Sequence, residues 1–136
     1  MNASQISVFL ENRPGRLAHL LQVLAGAGVN MRALSVADSS DFGIVRLIVD
    51  DVDAAMEAIR GADMTARTIQ VLRVEVSDEP GALERTVVEP LAEAGVNIEY
   101  MYAYGGRLSE TAVVVLKVDN QEKAERTLGR AADRSS

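Results

Sequence analysis

The chain has no cysteine, no tryptophan and a single histidine. Without cysteine there are no disulfides, thiolate metal ligands or cysteine nucleophiles, a usage that suits a reducing compartment. Only two Phe and three Tyr are present, so any core must be packed from aliphatic side chains. No apolar stretch is long enough to cross a bilayer. The opening "MNASQISVFL" lacks the charged start and long apolar segment of an export signal. A cytoplasmic protein without membrane association is expected. Nor is there any run of Lys or Arg. With a formal net charge of −6, the chain is repelled by phosphate backbones, so nucleic-acid binding is not expected.

What is present is a balance of 48% apolar and 25% charged residues, sufficient for a soluble core. The 136 residues suit one ordinary domain or two very small ones. Self-similarity decides between them. "ENRPGRLAHLLQVLAGAGVN", Glu11 to Asn30, returns as "DEPGALERTVVEPLAEAGVN", Asp78 to Asn97. Pro14-Gly15 matches Pro80-Gly81, Gly28-Val29-Asn30 matches Gly95-Val96-Asn97, and Asp50 matches Asp119. Ala55 and Ile59 match Ala124 and Leu128 in the same way. One plan is used twice.

Each copy opens with period-two alternation, Ile6/Val8/Leu10 and Leu72/Val74/Val76, which predicts a half-buried strand. Pro-Gly then ends the strand and starts a helix. Leu17, Leu20, Leu21 and Leu24 share one helical face, as do Leu83, Val87, Val88 and Leu91. Gly28 and Gly95 stand where a helix takes its C-terminal glycine. Copy two has one extra residue before Gly95 and a proline, Pro90, inside the helix, a combination that predicts a bulge or kink. A strand pair follows in each copy, Met31–Ala37 with Gly43–Asp50 and Ile98–Tyr104 with Thr111–Asp119. The first pair is joined through "DSSDF", the second by a turn at Gly105-Gly106.

A second helix carries Val52, Met56 and Ile59 on one face, with Asp51 and Asp53 at its positive end. A fourth strand, Thr65–Val71, completes βαββαβ in copy one. The fold class is therefore α+β, two ferredoxin-like units in tandem. The apolar alternation changes phase between Val71 and Leu72, which sets the expected domains at 1–71 and 72–136. After Leu128 only "GRAADRSS" remains, so the second unit is expected to be a truncated βαββα with a polar tail. Its sheet would lack the last strand, leaving an edge for another subunit or the first copy to cover.

Pro-Gly and Gly-Val-Asn, at this separation and twice over, resemble the ACT domain, the small amino-acid-sensing module of metabolic enzymes. The resemblance covers nearly the whole chain as two copies. Locally it is similar to the serine-sensing regulatory domain of phosphoglycerate dehydrogenases, which carries a comparable "ENRPG" and "GVN". That resemblance implies an amino-acid effector held at the contact between two ACT domains by two Asn residues, here Asn12 and Asn30. In copy two the second is kept as Asn97 and the first is Asp78. A histidine that helps bind serine in that family is replaced by Leu10, so the resemblance does not specify serine.

Residue chemistry points to the same loops. Unpaired N–H groups at a helix start attract anions, and Gly15 and Gly81 let a carboxylate approach the backbone. Arg13 adds a cation in the same loop. An Asn side chain both donates and accepts, so it meets ammonium and carboxylate together, whereas Asp78 only accepts. The two sites are therefore expected to be unequal. The plainer alternative is that Pro-Gly only starts a helix and Asn only caps a turn. Tyr100, Tyr102 and Tyr104 fall on one strand face where copy one has Ala33, Ser35 and Ala37. They either pack the halves together or, through Tyr102, line the effector pocket.

His19 lies off the leucine face of its helix and reads as a surface residue. "GAGVN" follows a helix instead of a strand, the wrong context for a dinucleotide loop. No nucleophile, base and orienting group form a set. No enzyme activity, cofactor or metal is expected. An acylphosphatase-like use of Arg13 and Asn30 would need a loop that this chain lacks. The expected function is a non-catalytic amino-acid sensor, a homodimer that also contacts a metabolic enzyme or regulator. The alternative is a constitutive interaction subunit without ligand sensing.

Overall fold

Ile6, Val8 and Leu10 are all buried, but so are Gln5 and Ser7 between them, so this first strand is buried on both faces there and not half-buried as the period-two alternation predicts. The computed structural model describes residues 2–38, 42–105 and 111–135. They form two compact units, Ser4–Ile69 and, in the second, Met1–Ala3 with Gln70–Ser136.

The first unit contains β1 (Asn2–Glu11), α1 (Arg16–Gly26), β2 (Met31–Asp38), β3 (Phe42–Val49) and α2 (Val52–Gly61). It also takes in the first part of β4 (Thr65–Ser77). Strand order is β2-β3-β1-β4, with β1 and β2 both antiparallel to β3. One face of this sheet receives Leu20 and Leu24 of α1 and Ala55, Met56 and Ile59 of α2. Helix α2 begins where Asp51 accepts a hydrogen bond from the Ala54 N–H at 3.0 Å. That is an N-cap worth about 1 kcal/mol.

In the second unit the later part of β4 pairs with β6 (Thr111–Val118), and β6 pairs with β5 (Ile98–Gly105), all antiparallel. Leu72, Val76, Leu116 and Val118 meet Val87, Leu91, Ala124 and Leu128 in a second core. The ferredoxin-like plan expected from the repeat is thus present twice.

Three details differ from the sequence reading or sharpen it. First, Thr65–Ser77 is one uninterrupted strand. Ala66 packs on the first core and Leu72 on the second, with the same parity. Val71, of opposite parity, is also fully buried. The apparent change of phase marks the one point, Val71–Leu72, where neighbouring residues on both faces of the strand are buried.

Second, the extra residue of copy two is absorbed by a π-helical turn, Glu84–Val88, which leads into α3 (Glu89–Glu93). Leu17 and Leu24 are seven apart, while Leu83 and Leu91 are eight apart. The wider turn keeps both ends of the longer stretch facing the core.

Third, the polar tail is helical. Helix α4 runs Gln121–Ser135, carried by Ala and Arg, which favour helix and offer no stop beyond Gly129. Most of the "DSSDF" connection and the residues after Gly105 in the Gly105-Gly106 turn lie outside the described residues.

Candidate functional site

The loop after the first strand is built identically in the two copies. The Arg13 N–H bonds the Glu11 carbonyl at 2.9 Å, and the Glu79 N–H bonds the Ser77 carbonyl at 2.9 Å. Gly15 and Gly81 then take φ of 88° and 79°, the left-handed region that favours glycine. No side chain caps the start of α1. Its free N–H groups stay available to a ligand or water.

The side chains make the two loops chemically different. In copy one the Glu11 carboxylate meets Arg13 Nε at 3.0 Å and an Arg16 terminal nitrogen at 3.5 Å. Copy two has Ser77, Glu79 and Ala82 at those positions, so this ion cluster is missing. Asn12 and Asp78 are both exposed, as the loop reading requires.

At the far end of each helix a second duplicated device appears. The Asn30 N–H donates to the Asp50 carboxylate at 3.0 Å, and the Asp50 N–H donates back to the Asn30 carbonyl at 3.1 Å. Asn97 and Asp119 form the same reciprocal pair at 2.9 and 3.1 Å. Immediately afterwards the pairing register shifts, between Met31 and Ala33 in β2 and between Ile98 and Tyr100 in β5. A bulge directly beside an exposed Asn is a device that re-aims a side chain. The match of Asp50 with Asp119 was visible in the sequence, and this clasp gives it a physical meaning.

Within a unit the structure does not bring the two Asn positions together. Asn12 precedes the 11-residue α1 and Asn30 follows it. At 1.5 Å per residue the helix alone separates them by roughly 16 Å. A single small molecule cannot touch both in one copy.

Tyr100, Tyr102 and Tyr104 are half-buried and share the face of β5 that lies opposite Lys117, Val115 and Val113. That face is the one away from the second core. Tyr104 accepts a hydrogen bond from Arg73 Nε at 2.9 Å.

A cavity of about 210 Å³ lies in the first unit. It is lined by Phe9, Leu10, Glu11, Arg16, Phe42, Asp63, Met64 and Thr65. The sequence reading did not single out Arg16, Phe42 or the Asp63–Thr65 turn. Among these residues Asp63 stands out in the structure, with a left-handed φ of 60° although it is not glycine. Among the described residues no group of three or more His, Asp or Glu could hold a metal ion, and no helix is long and apolar enough to cross a membrane.

Comparison with known proteins bears on the family and the fold. Protein BT0572 from Bacteroides thetaiotaomicron is similar in structure, with a TM-score of 0.89 and 37% identity. The match covers 96% of this chain and 88% of that one. The regulatory subunit of aspartate kinase from Thermus thermophilus shares the fold at 21% identity and a TM-score of 0.63, covering 94% and 91% of the two chains. Aspartokinase III of E. coli, in complex with lysine and aspartate, does so at 14% identity and a TM-score of 0.58. There the match covers 98% of this chain but 31% of the enzyme. No curated protein matches. The model of the ACT domain pair matches residues 1–131. A strand-loop-helix built twice, each copy closed by the same Asn–Asp clasp, accords with that match, and the chain belongs to the ACT domain pair family.

Proposed function

We propose that this ACT domain pair is a non-catalytic regulatory protein whose effector is a free amino acid held at the contact between ACT copies. The observation that carries this reading is the placement of the Asn pair. Both loops and both clasps are duplicated, yet Asn12 and Asn30 sit at opposite ends of α1. A ligand can use the two kinds of Asn together only where one copy meets another.

In this reading Asn12, Arg13, Gly15 and Asn30 of the first copy, with Asp78, Gly81, Asn97 and Tyr102 of the second, form the binding positions. Donor-and-acceptor Asn suits an amino acid, which offers ammonium and carboxylate side by side. The first loop has Arg13 and Arg16 around Glu11, while the second has acidic Asp78 and Glu79. The sites are accordingly unequal, the first favouring the carboxylate and the second the ammonium. A homodimer is the assembly this reading calls for. Its output passes to a metabolic enzyme, as the regulatory subunit of the Thermus aspartate kinase suggests by its name.

A second reading has one observation of its own. Leu34 and Val36 of the outer strand β2 are 38% and 54% exposed, although they pair with buried Leu47 and Val45. An apolar strip on an outer strand suits a constitutive subunit contact that senses nothing.

A thermal-shift screen against the common amino acids separates the two. An effector at a hundred times its Kd adds about 2.7 kcal/mol to the folded state. A rise in Tm of several degrees with one or two amino acids, lost in Asn12→Ala or Asn30→Ala, is the expected result. A flat screen of folded, ligand-free protein would favour the constitutive subunit.

A further inference from the structure

A strand that occurs twice in one chain has two places to go. Ile6, Val8 and Leu10 of β1 and Leu72, Val74 and Val76 of β4 turn the same apolar pattern toward their cores. The helix-side faces therefore do not tell the two strands apart. Connectivity discriminates weakly as well. Position 11 lies 31 residues from its partner at 42, and 100 residues from position 111, the partner of its counterpart Ser77. Closure that scales with the 3/2 power of loop length favours the right partner by only about sixfold. Tandem repeats misassemble through such exchanges. We propose that the opposite faces of these strands carry a pairing code, a buried amide–hydroxyl pair in β1 and a cation in β4. It keeps the two ACT copies from exchanging their first strands.

The buried pair has no role in either core. Gln5 and Ser7 are 0% and 3% exposed, the two polar side chains so deeply buried among the described residues. They alternate with Ile6 and Val8 and so lie on the face of β1 away from the first core. Gln5 Nε2 donates to Ser7 Oγ at 3.1 Å. At the corresponding positions copy two has Val71, fully buried, and Arg73, exposed. Burying an amide and a hydroxyl costs more than burying a valine. Burial alone therefore does not account for Gln5 and Ser7, whereas discrimination between two like strands does.

The cross-strand neighbours differ to match. Ser7 stands opposite Arg46 of β3, and Arg73 stands opposite Val115 of β6. Arg73 Nε donates to the Tyr104 hydroxyl at 2.9 Å within its own unit. Exchange would set Arg73 directly opposite Arg46, two like charges on one face. It would also set Ser7 opposite Val115, with Gln5 beside it. The Gln5 amide has two N–H donors and an acceptor oxygen, more than Ser7 alone answers, and a valine offers no partner. Both errors arise together, because filling one place wrongly leaves the other to the wrong strand.

The chain has no cysteine, so introduced disulfides can report the pairing. Glu11→Cys, Phe42→Cys and Thr111→Cys are combined in the full chain, which is unfolded and then refolded in a glutathione buffer so that thiols exchange to equilibrium. Residues directly opposite in neighbouring strands have the spacing a disulfide needs. Correct pairing links positions 11 and 42, exchange links 11 and 111, and mass mapping of peptides counts the two. With no other change, nearly all molecules are expected to carry the 11–42 link. Val71→Gln with Arg73→Ser gives both strands the outer face of β1. The 11–111 link should then rise to roughly one molecule in seven, the ratio that connectivity leaves. Arg73→Ser alone, at an exposed position that touches neither core, removes the like-charge clash and should give an intermediate fraction. An 11–111 fraction that Arg73→Ser leaves unchanged would overturn the proposal, whether or not the double variant folds. So would a double variant that folds and forms the 11–42 link alone.

Discussion

At the residue scale, two aspartates one position apart have different tasks. Asp50 clasps the backbone of Asn30, and Asp51 caps α2 through the Ala54 N–H. Each makes one side-chain hydrogen bond to a backbone N–H in an exposed setting, so Asp50→Ala and Asp51→Ala should each cost about 1 kcal/mol in denaturant unfolding. Binding should tell them apart. Asp50→Ala is expected to weaken the amino acid that depends on Asn30, while Asp51→Ala leaves it unchanged, as read by titration calorimetry. Equal effects of both on affinity would mean that the clasp only contributes stability. Gly15 gives a further check. At φ 88° a side chain is strained, so Gly15→Ala should lose about 1 kcal/mol even though a Cβ there meets no atom within 4 Å.

At the element scale, the π-helical turn is the clearest consequence of the duplicated plan. Copy two carries one more residue between Leu83 and Leu91 than copy one between Leu17 and Leu24, and Glu84–Val88 absorbs it. Deleting Thr86 together with Pro90→Ala would restore the spacing of copy one, with Leu83, Val87 and Leu91 still facing the second core. Unfolding stability equal to or above the parent is expected. A large loss would show that the wide turn does more than correct phase. Strand alternation, the Pro-Gly helix start and the leucine spacing were legible before any coordinates, because each depends on neighbours in sequence. The meeting of the two strand patterns at Val71 and Leu72 was legible too, but not the burial of both residues, which depends on packing distant in sequence. The helical tail was also hidden, because its polar composition suits a loop as readily as a solvated helix. Of the candidate site, the loops bearing Asn12 and Asn30 could be read. The cavity could not, for it joins Phe9 of β1, Phe42 of β3 and Asp63 of the turn before β4, which are far apart in sequence.

At the scale of the whole molecule, two separate cores stand under one repeated plan. Leu47 and Leu116 occupy equivalent, fully buried places in them. Truncating either to Ala should cost about 2–5 kcal/mol. Hydrogen exchange should show protection falling first in the copy that carries the change. The duplication supplies two loops of unlike charge, and in the proposed function an effector would therefore meet two different half-sites and not a symmetric pair. The most direct test of that claim is calorimetric titration of the amino acid with the largest thermal shift, into the parent chain, Asn30→Ala and Asn97→Ala. Saturable binding in the parent, with the two variants weakened by different factors, is the predicted result. Full-affinity binding in both variants would contradict an effector held between ACT copies.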